Sequence, residues 1–109
     1  MKVNIPSLAT LLEAGQVMDR NGFTKAGRAW QKHGSRNPAK WGFPQGPPEV
    51  INQAGQQQLQ QIITLTESEW IVRHHARFGN ILEGRLLDGR GARWSADGQT
   101  FIGFIEVEA

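Results

Sequence analysis

The 109-residue sequence predicts an α+β fold, with N-terminal helices packed on one face of a four-stranded antiparallel meander sheet. Three observations support this prediction. Apolar residues recur at helical spacing up to about residue 65, and apolar and polar residues alternate after Thr66. Three turn signals, "GN", "DGRG" and "ADGQ", divide the second part into four runs, and such short turns join antiparallel neighbours. We therefore expect a single domain over residues 1–109, with a helical part at 1–65 and a β-meander at 66–109.

The helical part is predicted to contain three helices and one loop. The helices begin after the caps Ser7 and Thr24 and at Pro47 or Pro48, and the first two end near Asn21-Gly22 and at His33-Gly34. Residues 34–48 hold four prolines and three glycines, which is typical of a loop. The apolar positions expected to be buried are Leu8, Leu11, Leu12, Val17, Trp41, Phe43, Val50, Ile51, Leu59, Ile62 and Ile63.

The β-meander is predicted to consist of the strands Trp70–Phe78, Ile81–Leu87, Gly91–Ser95 and Thr100–Val107. Successive side chains of a strand point to opposite faces of the sheet. In the first strand, one face carries mostly apolar residues and belongs against the helices. The other face carries Ile71, Arg73, His75 and Arg77. Arg85 and Arg93 join that second face on the neighbouring strands unless a bulge shifts the register.

The row of Arg73, His75 and Arg77 indicates phosphate chemistry. Histidine exchanges protons near neutral pH, and arginine presents a planar fork that matches phosphate oxygens. Metal-free RNA cleavage needs a base for the ribose 2′-OH, cations for the pentavalent transition state and an acid for the leaving 5′-oxygen. We therefore predict His75 as the base or acid, and Arg73 and Arg77 as the groups that grip the scissile phosphate. Arg85 and Arg93 extend the phosphate track.

Several other polar residues have two interpretations each. His74, on the apolar side, is either the complementary proton-transfer group or a core histidine bonded to a backbone carbonyl. His33 is either that group or part of a surface loop. Thr100 is a candidate phosphate donor, and Glu83 is an alternative base. Trp94 either stacks on a base or fills the core beside Ala92.

Composition excludes several classes of function. The sequence has no cysteine, which excludes disulfides, thiolate metal sites and the zinc deaminase site. No ligand-spaced cluster predicts a metal site or cofactor. The N-terminus fits neither a signal peptide nor a membrane span, so export is expected to need a carrier or larger precursor. The formal net charge is only +2, but the five basic residues after Thr66 are all arginines between Arg73 and Arg93.

The segments "TKAGRAWQKHGSR", "VINQAGQQQLQQIIT" and "RHHARFGNILEGRLLDGRGARWSADGQTFIGFIE" resemble the C-terminal toxin domains of bacterial polymorphic toxins, as in contact-dependent inhibition and Rhs effectors. The resemblance covers roughly residues 22–106. Helices followed by a meander are also similar to the barnase/EndoU/colicin/RelE group of RNase toxins. The loop "RNPAKWGFPQG" departs from the family pattern and leaves the choice of RNA open. The motifs carry over onto Arg73, His74, His75, Arg77, Arg90, Arg93, His33 and Arg36.

The resemblance implies a secreted or delivered nuclease toxin that acts in the cytoplasm of a target bacterium and is neutralised by a cognate immunity protein. It favours tRNA as the substrate and leaves open a host translation factor as a further partner. Two alternatives remain at this point. One is a non-catalytic RNA-binding or ribosome-binding module that uses the same arginines, and the other is a protein-binding domain. Loss of a histidine that acts as the general base should lower catalysis by about 10²-fold or more, whereas binding alone would survive it.

Overall fold

The computed structural model describes residues 5–64 and 70–106. Its elements are α1 (Leu8–Gln16), α2 (Lys25–Arg36), α3 (Pro38–Trp41), α4 (Pro48–Thr64), β1 (Trp70–His75), β2 (Gly79–Arg85), β3 (Arg90–Ser95) and β4 (Phe101–Glu106). The strands form one sheet in the order β1-β2-β3-β4, with antiparallel pairing throughout. The predicted α+β class and the four-stranded meander are confirmed.

The helix boundaries differ from the prediction in three places. Helix α1 ends at Gln16 and not near Asn21-Gly22, because the backbone is extended at Val17 and the chain turns back so that Met18 pairs with Thr24. The caps are as expected, because the side chains of Ser7 and Thr24 accept bonds from the third residue beyond them. Helix α2, however, continues one turn past Lys32, so His33 lies in a helix and not in a surface loop. The predicted loop 34–48 contains a short helix, α3, because a proline at its first position is already suited to helical geometry. No described helix is both long and apolar enough to cross a membrane.

The core lies between the helices and one face of the sheet. Its fully buried members include Leu11 from α1, Leu59 from α4, and Leu82 and Trp94 from the sheet. Buried indole N–H groups need acceptors, and the three buried tryptophans have them. Trp30 donates to the carbonyl of Trp41, Trp41 to Glu106, and Trp94 to the carbonyl of Leu11. These bonds fix α1, α2 and α3 relative to the sheet.

Helix α2 is held in place by a close approach to α4. A Cβ atom on Gly55 would lie 2.5 Å from the carbonyl oxygen of Ala26, and one on Gly27 would collide with Asn52. Only glycine allows the two backbones to pack this closely. Asn52 accepts from the backbone N–H of Thr24 and donates to the carbonyl of Gly22, which also fixes the start of α2. The position of α2 matters because its other side borders the cleft described below.

Some residues predicted to be buried are exposed. Phe43 lies in the loop between α3 and α4 and is 66% exposed. Val50 lies on the first turn of α4 and is 49% exposed. Leu8 and Val17 at the ends of α1 are also about half exposed. Strand β1 ends at His75, three residues before the predicted end. Gly79 and Asn80, predicted to form the turn, pair with His75 and His74 as part of β2.

Candidate active site

A cleft with a volume of about 770 Å³ lies between α2 and β4. We call it the α2–β4 cleft. Polar groups from α2 face strand β4 across it, and the β1–β2 turn contributes one aromatic ring. Its lining residues are Asp19, Lys25, Arg28, Ala29, Gln31, Lys32, His33, Ser35, Phe78, Thr100, Phe101, Ile102, Gly103 and Phe104. A partly apolar cleft with converging polar groups is the usual form of an active site.

Two of the predicted site residues, His33 and Thr100, lie together in this cleft although 67 positions separate them in the numbering. Helix α2 carries His33, and the β3–β4 turn carries Thr100. Thr100 is exposed, and its backbone closes the turn through a carbonyl that accepts from Ser95 and an N–H that donates to the Ser95 hydroxyl. The Thr100 hydroxyl is thus on a turn whose backbone is fixed.

One carboxylate and two aromatic rings, those of Trp41 and Phe104, surround the imidazole of His33. Its Nδ1 lies 3.5 Å from Oε1 of Glu106, and its ring centroid lies 5.0 Å from that of Trp41. Glu106 also accepts from the indole of Trp41 at 2.7 Å and from the Asn37 amide at 3.4 Å. Because Nδ1 faces this carboxylate, Nε2 is the ring nitrogen left for a substrate. A histidine oriented by a carboxylate in this way is a common arrangement for proton transfer.

The carboxylate of Glu106 keeps its negative charge in this setting. Partial burial raises its pKa, but hydrogen bonds from Trp41, Asn37 and His33, and the charge of the imidazole in its protonated form, outweigh that effect and leave the pKa below its ordinary value. Glu106 was not among the residues predicted from the sequence. Its strand position indicates only which face it occupies, and its approach to His33 depends on how α2 crosses β4.

The cleft is lined by a basic side of α2 that the sequence prediction also missed. Lys25, Arg28 and Lys32 all line it. Their spacing of three and four residues places them on one helix face, so this signal was available in the sequence. Arg28 pairs with Asp19 at 3.0 Å, whereas Lys25 and Lys32 have no ion pair with any residue that the structure describes. The cleft therefore offers cationic groups to an anion.

An aromatic cluster stands at the β1–β2 turn. Phe78 lines the cleft and is 46% exposed, and the His75 ring lies 4.9 Å from it. The Arg77 guanidinium lies 5.3 Å from the centre of the Phe78 ring. The backbone N–H of Arg77 donates to Nδ1 of His75. Arg77 is thus in the turn and not in a strand row with Arg73 and His75, and Phe78 presents an exposed ring next to the cleft.

The face of the sheet opposite the helices carries a second group of charges. Glu83 is fully buried there, and three guanidiniums surround it: Arg93 at 2.7 Å, Arg85 at 2.8 Å and Arg73 at 3.4 Å. We call these four residues the arginine cluster. Burial raises the pKa of Glu83, but the hydrogen bonds from Arg85 and Arg93 and the charges of these two residues lower it by a larger amount. The pKa therefore lies below its ordinary value. The carboxylate is an ion-pair partner, which does not fit the alternative role of Glu83 as a base.

Three predicted site residues lie elsewhere. Trp94 is completely buried and its ring is closed to a base. Arg90 bonds to Asp88, Gln58 and Gln61 beside α4, which occupies its guanidinium. His74 is exposed at the edge strand, and not in the core as one interpretation held, because the helices do not extend over that end of β1. Only tertiary packing separates these residues from the ones that reach the cleft.

Within residues 5–64 and 70–106, no three or more His, Asp and Glu side chains are grouped so that they could hold a metal ion. The donors that converge in the α2–β4 cleft are an imidazole, a hydroxyl and ammonium and guanidinium groups. These groups can bind a phosphate, exchange a proton and stabilise negative charge.

Comparison with known proteins agrees with this chemistry. The family model described as the CdiA C-terminal tRNase toxin domain matches residues 12–106. Among solved structures, the chain is similar to the toxic C-terminal tip of CdiA from Pseudomonas aeruginosa, crystallised in complex with an immune protein. The two share 34% identity with a TM-score of 0.75, and the match covers 86% of this chain and 99% of the other. Comparison with curated proteins gives no significant match.

Proposed function

The chain belongs to the CdiA C-terminal tRNase toxin domains, and from this premise we propose that it cleaves tRNA in the α2–β4 cleft without a metal ion. The observation that carries the proposal is the placement of His33 between a carboxylate and the cationic side of α2. Family membership makes the chain an endoribonuclease, which favours catalysis over the alternative of a non-catalytic RNA-binding module.

The proposed reaction is transesterification of one RNA phosphodiester. Nε2 of His33 removes the proton of a ribose 2′-OH while Glu106 orients the ring. The 2′-oxygen forms a bond to phosphorus and the bond from phosphorus to the 5′-oxygen breaks, which leaves a 2′,3′-cyclic phosphate and a 5′-hydroxyl. The leaving oxygen takes a proton from a second group, and His75 beside Phe78 is our candidate for that group.

The negative charge that develops on the phosphate is met by side chains of the cleft. Lys25 and Lys32 line the cleft and pair with no carboxylate among the described residues, and the Thr100 hydroxyl is a hydrogen-bond donor in the same cleft. These groups supply the proton transfer and charge stabilisation that a metal ion supplies in other nucleases. This complement of groups is the reason for proposing a metal-independent reaction.

We further propose that the chain acts in the cytoplasm of a target bacterium after delivery as the C-terminal tip of a larger effector. The related CdiA tip was crystallised with an immune protein. By analogy, a cognate immunity protein is the expected inhibitor of this chain. A translation factor of the target cell is a second proposed partner, and the experiment below supplies it by adding cell extract.

The test is incubation of the purified chain with bulk bacterial tRNA in EDTA, with a parallel reaction in Mg²⁺. We expect discrete fragments with 2′,3′-cyclic phosphate ends in both reactions, and none from DNA, which lacks the 2′-OH. Cell extract is then added to supply any host factor. Fragments that require Mg²⁺ would contradict metal independence, and intact tRNA under every condition would return the chain to the binding-module interpretation.

Replacing Phe78 with alanine should weaken tRNA cleavage by about tenfold, because stacking of a base on an aromatic ring contributes about 1–3 kcal/mol. The ring is exposed at the cleft, so its loss should leave the melting temperature nearly unchanged. Steady-state rates on tRNA measure the effect, and Phe43→Ala is the matched control because that ring is also exposed but does not line the cleft. Equal rates for both variants would exclude base stacking on Phe78.

A further inference from the structure

The arginine cluster on the sheet face opposite the helices has more positive than negative charge. Three guanidiniums surround one carboxylate, and no other acidic side chain of the described residues pairs with them. Glu83 is fully buried beneath them, while the side chains of Arg73, Arg85 and Arg93 keep 50%, 25% and 29% of their surface exposed. The carboxylate therefore holds the arginines in place, and their outer edges remain available to a ligand.

A second observation concerns the guanidinium of Arg85. The Nε atom of Arg85 is buried and has no hydrogen-bond partner among the described residues. A buried donor without a partner is costly, and native proteins usually satisfy such donors with a protein group, a water or a ligand. The guanidinium fork suits phosphate oxygens in particular, because two parallel N–H groups bind two oxygens at once.

The cluster and the cleft are connected across the edge strand. Arg93 is the cross-strand neighbour of Gly103, and Gly103 lines the α2–β4 cleft. A Cβ atom built on Gly103 would meet nothing within 4 Å, so the space directly beside Gly103 is open. An extended strand of nucleic acid that leaves the cleft over Gly103 meets the cluster next.

From this geometry we propose that the arginine cluster is a phosphate-binding subsite for the RNA backbone beyond the scissile bond, with Glu83 as the residue that positions its arginines. The inference rests on the proposed function for the identity of the ligand. The sequence already predicted that Arg85 and Arg93 extend the phosphate track. The proposal adds Arg73 to them, which the sequence had predicted to grip the scissile phosphate, and it makes Glu83 the residue that holds all three. The scissile phosphate itself lies in the cleft with His33.

The test measures binding separately from cleavage. The probe is bulk deacylated bacterial tRNA, and the protein is the full chain with His33→Gln, so that the RNA stays intact. Dissociation constants are measured between low and high salt for this protein and for versions that also carry Arg73→Gln or Arg93→Gln. Each loss of a phosphate contact should weaken binding about tenfold and lower the slope of log K against log salt by about one.

Arg20→Gln is the matched control, because Arg20 is exposed in the turn after α1 and outside the cluster. Thermal melting confirms that each variant is folded, and Arg73→Gln is the milder change because Arg73 is the most exposed of the three. Slopes equal to that of Arg20→Gln in both folded variants would overturn the proposal. That result is independent of whether the unmodified chain cleaves tRNA, so failure of the subsite and failure of the proposed function are distinguishable.

Discussion

Replacement of His33 by glutamine is expected to lower the rate of tRNA cleavage by about 10²- to 10⁴-fold, the usual loss when a general base is removed. Glutamine preserves most of the side-chain volume and can still donate a hydrogen bond to Glu106, but it cannot accept and return a proton at neutral pH. The packing against Trp41 and Phe104 should therefore survive. Initial rates at saturating tRNA measure the loss.

Two further variants make this result specific. Gln57→Ala, on the exposed side of α4, should cleave at the rate of the unmodified chain. Glu106→Gln removes the charge that orients the imidazole and should cost about tenfold, since a mispositioned catalytic group loses rate without being removed. If folded His33→Gln retains cleavage within a few-fold, the base lies elsewhere, and His75 becomes the first residue to replace.

Replacement of Glu83 by leucine should destabilise the chain by about 3 kcal/mol at pH 7. Removal of one partner of a buried ion pair typically costs about 3–5 kcal/mol, and the low end applies here because the three guanidiniums are partly exposed to screening water. The variant leaves Arg73, Arg85 and Arg93 close together with no counter-charge. Urea denaturation of the two proteins gives the difference in the free energy of unfolding.

The pH dependence of this difference provides an independent check. The pKa of Glu83 is lower in the folded chain than its ordinary value of 4.5, so the unfolded chain takes up the proton first as the pH falls. The stabilisation from Glu83 is thus present above about pH 4.5 and is lost as the pH drops through the folded-state pKa. The difference in the free energy of unfolding between the unmodified chain and Glu83→Leu should therefore decrease as the pH falls over that range. Glu13 is an exposed carboxylate on α1, so Glu13→Gln should leave the free energy of unfolding at pH 7 nearly unchanged.

Much of the fold was predictable because it depends on local patterns. The caps Ser7 and Thr24, the helical spacing of Leu59 and Ile62, and the alternation in the strands all act within a few residues of the chain. Arg73, His75, Arg85 and Arg93 share the predicted face because alternate residues of a strand point the same way and the register among β1, β2 and β3 is regular. The irregularity beside Arg93 lies in the pairing of β3 with β4. The turn after β1 was misplaced because Gly79 and Asn80 can either form a turn or enter a strand.

The candidate site was only partly predictable. The sequence identified His33 and Thr100 as polar candidates, but it also ranked Trp94, Arg90 and His74 beside them. Trp94 was the candidate for base stacking but is buried, whereas Phe78 has an exposed ring that lines the cleft. The basic spacing on α2 was a usable signal, whereas nothing in the neighbourhood of Glu106 indicates a contact with a histidine 73 residues earlier.

The sequence by itself determined the α+β class, the order of the elements, the arginine-bearing face of the sheet and the resemblance to toxin domains, because these depend on periodicity and on short motifs. Only the tertiary structure decided which polar residues meet. The Gly27–Gly55 approach places α2 beside β4, and that packing brings His33, Glu106 and Thr100 to one cleft and buries Glu83 under three arginines on the opposite face of the sheet. Such contacts join residues distant in the chain, and no local pattern encodes them.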